Sequence, residues 1–301
     1  MTLLTGKSPV VIDPKCDLEV AARRILWGKI ANAGQTCVAP DYVLVPRHFQ
    51  DKFAQALKDA YENFYPASAR ADAEQTFSRL ITPAAFSRVH GLLKSTKGEI
   101  VFGGGADEST KYIEPTIVKN VSGDDSLMSE EIFGPVLPIV PVDDVDEAVK
   151  FIKARDHPLA LYVFSPDAAF KAKVFDNTQS GSAVANETII IPGVEGLPFG
   201  GIGPSGSGYH TGKYTFDMFT HLRASIDTPN WVDKILSLRY PPYTPAKLNR
   251  VRKAFFPSLP ARPTGPPLGG ASNKRWGRWF FIAVALTLAG VLTKRPKGLS
   301  L

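Results

Sequence analysis

Residues 17–64, DLEVAARRILWGKIANAGQTCVAPDYVLVPRHFQDKFAQALKDAYENF, hold two helical patterns on either side of one short strand pattern. Leu18, Ala21, Ala22, Ile25, Leu26 and Ile30 recur at helical spacing, with Asp17 as a capping residue and Gly34 as a stop. This predicts a helix over 17–34 that ends just before Cys37. Residues 42–45, YVLV, are strand formers, and 49–64 is again amphipathic. The alternation continues downstream. It predicts a helix at 84–95, strands at 100–102, 113–118 and 136–142, a helix at 145–155, a strand at 159–164, a helix at 168–175 and a strand at 182–185. Strands alternating with helices of this length define the fold class as α/β with a mostly parallel sheet.

Composition agrees with a folded body of one or two domains: 44% of the 301 residues are hydrophobic and 21% charged. The formal charge of +6 is unevenly spread. Residues 1–233 carry 22 basic against 29 acidic groups, whereas residues 234–301 carry 13 basic groups and no acid. Two cysteines, Cys16 and Cys37, cannot form a disulfide framework, no signal peptide opens the chain, and a reducing compartment is expected. No Cys/His set has zinc-ligand spacing, so no metal is expected. Residues 257–272, PSLPARPTGPPLGGAS, are too rich in Pro and Gly for a helix or strand and mark a linker. Beyond it, WFFIAVALTLAGVL at 279–292 is an uncharged apolar run, shorter than a usual spanning helix, with Trp276 and Trp279 at its start. Arg275, Arg278, Lys294 and Arg295 flank it, which predicts membrane attachment, spanning or interfacial.

The chemistry centres on Asn32-Ala33-Gly34-Gln35-Thr36-Cys37. A lone cysteine is usually an inert core residue, but NAGQTC resembles the nucleophile motif of the aldehyde dehydrogenases, and NAGQTCVAPDYVLV resembles their class 3, fatty-aldehyde branch. Further strings agree in order: GKSP at 6–9, EEIFGPV at 130–136, LPFGGIGPSGSGYHTGKYTFDMFTHLR at 197–223, preceded by Asn186, and RYPPY at 239–243. The resemblance covers roughly residues 5–255. It implies an aldehyde dehydrogenase-type catalytic domain that lacks most of the Rossmann-like cofactor domain, followed by a basic tail with an apolar anchor helix.

By that resemblance Cys37 is the nucleophile, Glu131 hydrogen-bonds the ribose beside the nicotinamide of NAD or NADP, and Phe133 packs nearby. Cys16 is structural. The thiolate adds to an aldehyde to give a thiohemiacetal whose oxyanion meets the Cys37 N–H. Hydride transfer then leaves a thioester, which water hydrolyses to the acid. The family's general base for that water, a glutamate three residues before the glycine of GKSP, falls at Leu3, which cannot take a proton. The family's oxyanion asparagine and βαβ dinucleotide units precede this segment, and no G-x-G-x-x-G lies between a strand and a helix. Gly103 to Gly105 is read as a turn. The chain is therefore expected to be an inactive part of a longer reading frame.

The resemblance divides the chain into a catalytic domain at 1–192, an active-site loop, oligomerisation arm and C-terminal helix at 193–256, a linker at 257–275 and an anchor at 276–295. It implies a homodimer acting on long-chain aliphatic aldehydes at the cytosolic face of the endoplasmic reticulum or a similar organelle, with lipid contacted through the tail. The alternative is a non-catalytic, membrane-anchored pseudoenzyme or partner of full-length homologues. Nucleic acid is not an expected partner, because the tail's charges flank an apolar run instead of interleaving with stacking side chains.

Overall fold

The computed structural model describes residues 2–3, 6–66 and 76–255. It has two compact units, Met1–Arg223 and Ala224–Leu301. The first is built on seven strands: β1 Pro9–Ile12, β2 Tyr42–Pro46, β3 Glu99–Phe102, β4 Thr116–Lys119, β5 Val136–Val142, β6 Ala160–Phe164 and β7 Ser182–Ala185. They lie in the order β7-β6-β1-β2-β5-β4-β3. All neighbours are parallel except the edge pair β3 and β4. The α/β, mostly parallel architecture is the one that the alternation of patterns predicts.

The helices are α1 Leu18–Ile30, α2 Gln50–Phe64, α3 Pro83–Ser95, α4 Val145–Lys153, α5 Ala168–Phe175 and α6 Lys213–Phe219. Successive strand side chains point to opposite faces, and the core follows that alternation. Val10, Ile12, Val43, Val45 and Ile139 pack with Ile25 and Leu26 of α1 and Phe53 and Leu57 of α2. Val11, Leu44, Val140, Leu161 and Val163 pack on the other face with Phe86 and Val89 of α3, Ile152 of α4 and Val174 of α5. Both faces being covered, the inner strands are continuously apolar.

Three local expectations change. The strand β1, inside the sheet, has no counterpart in the sequence reading, because four buried residues show no period. The pattern at 113–118 divides into a short pair member, Tyr112–Ile113, and β4, since Pro115 between them has no N–H to give to a ladder. The cysteine helix stops at Ile30, four residues short of Gly34. Asn32, Ala33 and Gly34 follow with φ of 52°, 54° and 72°, a run of left-handed residues that no helix can contain.

The loop at 197–208 brings backbone against backbone. A Cβ on Gly200 would lie 2.1 Å from the Gly208 carbonyl oxygen, so the glycine density serves a close approach within this chain. Downstream, Phe216 and Phe219 on α6 are 70% and 74% exposed. In the second unit, α7 Val232–Ile235 and α8 Pro245–Phe255 are helical. The Arg239 to Tyr243 string turns back towards α7, with Arg239 and the Tyr240 hydroxyl both donating to Asp233 at 2.6 Å. Among the described residues no helix is long and apolar enough to cross a membrane. The predicted anchor at 276–295 and the linker at 257–275 lie outside the described residues.

Candidate active site

In doubly wound sheets, ligands usually bind beyond the carboxyl ends of the strands, where the chain's winding direction reverses. Here that point lies between β1 and β6, and hydrogen bonds close it. Ser165 Oγ donates to Asp13 Oδ2 at 2.6 Å, and the Asn186 side chain accepts from Ser165 N at 2.9 Å and donates to Ser165 O at 3.1 Å. Asn186, singled out in the sequence, thus ties β7 to the end of β6. The residues with candidate chemistry gather at the opposite edge: Lys7 precedes β1, Cys37 precedes β2, and Glu131 and Phe133 precede β5.

Cys37 sits half-buried on the loop after the left-handed run. That loop is held by reciprocal bonds between residues 32 and 35: Asn32 Nδ2 donates to Gln35 O at 3.2 Å and Gln35 Nε2 to Asn32 O at 3.0 Å. Gln35 also accepts from Ile81 N at 2.9 Å, fixing the loop to the segment before α3. On its other side Tyr162 Oη donates to Val38 O at 2.5 Å. Burial pushes the Cys37 thiol up and the Glu131 carboxylate adds to this, while the N–H groups of Cys37 and Val38 act in the opposite sense. Cys16 is pushed further, to about 11, by burial and then by Asp13 and Asp17. An inert, structural thiol is what that environment makes.

Glu131 shares the site with Cys37. Its Oε2 is buried and, among the described residues, has no hydrogen-bond partner. Burial first and Asp41 second raise its carboxyl to about 7, against the opposing pull of Lys29, Lys7 and Arg88. The turn that carries it is pinned from outside by Arg88 of α3, whose guanidinium donates to Glu131 O at 3.1 Å and Ile132 O at 2.7 Å. Phe133, at φ 46°, is 37% exposed on the same turn. The two loops meet at glycines: a Cβ on Gly34 would fall 2.2 Å from the Gly134 carbonyl oxygen. Gly34→Ala combines that overlap with a left-handed φ and is expected to cost about 2–4 kcal/mol and part the loops, measured as a fall in denaturation midpoint.

Behind this contact lies a charge cluster that the sequence reading missed. Asp41 is buried and accepts from Lys7 Nζ at 2.7 Å, Lys29 Nζ at 3.3 Å and Ile132 N at 3.2 Å. Lys29 is 1% exposed. It follows Ala22, Ile25 and Leu26 on the buried stripe of α1, and a charge on that stripe was the available signal. Lys7 of the GKSP string also donates to the carbonyls of Leu127 and Glu130, at 2.6 and 2.9 Å.

The sign of the Glu131 effect is testable. Above pH 7 the ionised carboxylate opposes thiolate formation, so Glu131→Gln is expected to speed Cys37 alkylation at pH 8 severalfold, measured by peptide mass mapping with iodoacetamide. Because the folded-state value is raised, the stability contribution of Glu131 is fully present below about 4.5 and is lost as pH rises through about 7. The variant is expected to lack that loss.

A buried carboxylate oxygen without a partner suits a ligand that supplies hydroxyl donors, and an exposed aromatic ring beside it suits a planar heterocycle. These features fit the nicotinamide riboside end of a dinucleotide. Among the described residues nothing forms a glycine-rich phosphate loop between a strand and a helix, and no three His, Cys, Asp or Glu side chains cluster to hold a metal ion. A separate groove of about 530 Å³ runs along α1, lined by Val20, Arg23, Arg24, Trp27, Phe64, Glu187 and Ile190.

Fold and site together define an α/β domain in which a cysteine-bearing loop packs against an acidic turn. Residues 1–225 match the aldehyde dehydrogenase family, and the chain belongs to that family. It is 46% identical over 246 residues to aldehyde dehydrogenase family 3 member A2 of Rattus norvegicus, covering 82% of this chain and 50% of that protein. With the dimeric NADP-preferring aldehyde dehydrogenase of Canis lupus familiaris it shares 44% over 247 residues, covering 82% and 53%. Its fold is similar to the substrate-bound AldH of Staphylococcus aureus, with a TM-score of 0.71 at 37% identity over 84% of this chain and 54% of that one. The NADP complex of the NADP-dependent glyceraldehyde-3-phosphate dehydrogenase of Bacillus halodurans C-125 gives 0.64 at 25% identity, over 70% and 44%. The chain spans about half the length of the curated relatives it matches.

Proposed function

We propose that this chain carries the thiol half of an NAD- or NADP-dependent aldehyde-oxidising site. The observation that carries the reading is the contact of the cysteine loop with the Glu131 turn at Gly34 and Gly134, close enough for the Glu131 carboxylate to push the Cys37 thiol up. Cys37 adds to the aldehyde carbon, and its own N–H lies beside the oxygen that becomes anionic. Glu131 accepts hydroxyl donors of the riboside, with Phe133 against the ring. The nicotinamide supplies the hydride acceptor when bound. Tyr162 and Gln35 keep the cysteine loop from shifting during these changes. Aldehyde-dependent formation of NADH or NADPH, with the family's upstream βαβ half supplied, tests the assignment.

Long-chain aliphatic aldehydes are the proposed substrates. Support comes from the resemblance of NAGQTCVAPDYVLV to the fatty-aldehyde branch. A homodimer is proposed on the exposed Phe216 and Phe219 and on the word dimeric in the name of the canine relative. Attachment to the cytosolic face of an organelle membrane rests on the apolar run at 279–292 with its basic flanks. Deleting residues 273–301 is expected to move the protein from the membrane pellet to the soluble fraction; a full chain already soluble at physiological salt rejects the attachment.

A non-catalytic partner of full-length relatives is the second reading, and Leu3 favours it. A leucine where the family resemblance expects a general base removes assistance worth about 10²- to 10⁴-fold.

A further inference from the structure

We propose that Lys29 is a positioning residue for the thiol site: its core-buried ammonium holds Asp41, and Asp41 in turn holds the Ile132 N–H, so the Glu131–Gly134 turn stays seated against the cysteine loop. The inference rests on the assignment of Cys37 and Glu131 above. Lys29 is on the last turn of α1, immediately before the loop that ends in Cys37, and its carbonyl oxygen is 3.0 Å from where a Gly34 Cβ would be. One residue thus touches both sides of the site, by backbone on the cysteine side and through Asp41 on the acidic side.

Burying a lysine is costly, and a cation is kept there only when it is paired. The partly buried side chain of Lys7 reaches the same carboxylate, so pairing Asp41 alone does not require a second lysine in the core. What Lys29 adds is a positive charge on the inner side of a group of two carboxyls. Glu131 is faced by Asp41, Lys29, Lys7 and Arg88, and Cys37 by Glu131 and Tyr162. Burial lowers the Lys29 ammonium and the Asp41 carboxylate opposes that; in its charged form Lys29, with Lys7, lets Asp41 and Glu131 ionise together without leaving the cluster net negative. Without Lys29, the second carboxylate forms against an uncompensated neighbour.

The pH profile of Cys37 alkylation by iodoacetamide, resolved by peptide mapping on the whole chain, reads this arrangement without turnover. The wild-type profile is expected to carry an inflection near pH 7, where Glu131 ionises beside the thiol, and Glu131→Gln to erase it. Lys29→Met keeps the stem and deletes the charge, and is expected to raise the inflection by about one pH unit. Lys29→Met with Asp41→Asn removes one charge of each sign and is expected to return it towards the wild-type position. An inflection unmoved in a folded Lys29→Met protein overturns the proposal. So does a double variant displaced as far as the single one, because a packing role is blind to charge balance.

If Lys29→Met does not fold cooperatively, the wild type decides. The Ile132 amide is then expected to exchange as slowly as the core amides of β5, and exchange more than about 100-fold faster overturns the proposal. Neither readout needs aldehyde or dinucleotide. A failed oxidation assay with these results intact would count against the enzymatic assignment alone.

Discussion

Cys37→Ala is expected to abolish aldehyde-dependent reduction of NAD or NADP, by about 10⁴-fold or more, when the chain is assayed with the family's upstream half supplied and with Leu3→Glu in both proteins. The size follows from the kind of step lost. A covalent route divides the reaction at a thioester, and among the described residues the other cysteine, Cys16, lies before α1 and away from the NAGQTC loop. The alanine fits, since Cys37 is half-buried on a loop whose bonds run through Asn32, Gln35 and the carbonyl of Val38. Melting temperature should therefore stay within a few degrees of wild type while turnover disappears. Cys16→Ala, on the other side of α1, should leave turnover nearly unchanged. Equal turnover by wild type and Cys37→Ala would remove the cysteine from the mechanism.

Asp41→Ala is expected to destabilise the fold by about 3–5 kcal/mol, read from urea denaturation. The loss has two sources. Lys29 is left in the core without its carboxylate, and the Ile132 N–H loses a charged acceptor. Burial alone would raise the Asp41 carboxyl, but Lys7 and Lys29 outweigh it and hold it below its ordinary value. Its folded value being depressed, the stability it contributes is fully present above about 3.8 and is lost as pH falls through the folded value. The wild type should thus lose stability in acid over a range where Asp41→Ala, already weaker, loses less. Asp41→Asn should lie between the two, because the amide oxygen can still accept from Ile132.

Amphipathic spacing and capping made most of the helices legible: Asp17 caps α1, accepting from Val20 N, and α5 spans the predicted residues 168–175. β5 and β7 also match, since their apolar runs end at clear turns. β1 was illegible because a short strand buried on both faces has neither polar alternation nor length. The cysteine helix was extended too far because Gly34 reads as its stop, whereas the Asn32–Gln35 bonds and the packing of Gly34 against Gly134 hold residues 32–34 left-handed.

What the chain's own order of residues determined was the α/β class, membership of the aldehyde dehydrogenases through NAGQTC and EEIFGPV, and Cys37, Glu131 and Phe133 as the residues to place. Local periodicity and rare strings carry that information, because both are properties of neighbours along the chain. The tertiary structure alone decided that the loops carrying these residues meet at the amino edge of the sheet, and that Asp41 forms one charge cluster behind them with Lys7 and Lys29, 34 and 12 positions away. Electrostatic coupling falls with distance through space and with exclusion of water, and neither quantity is written in sequence separation.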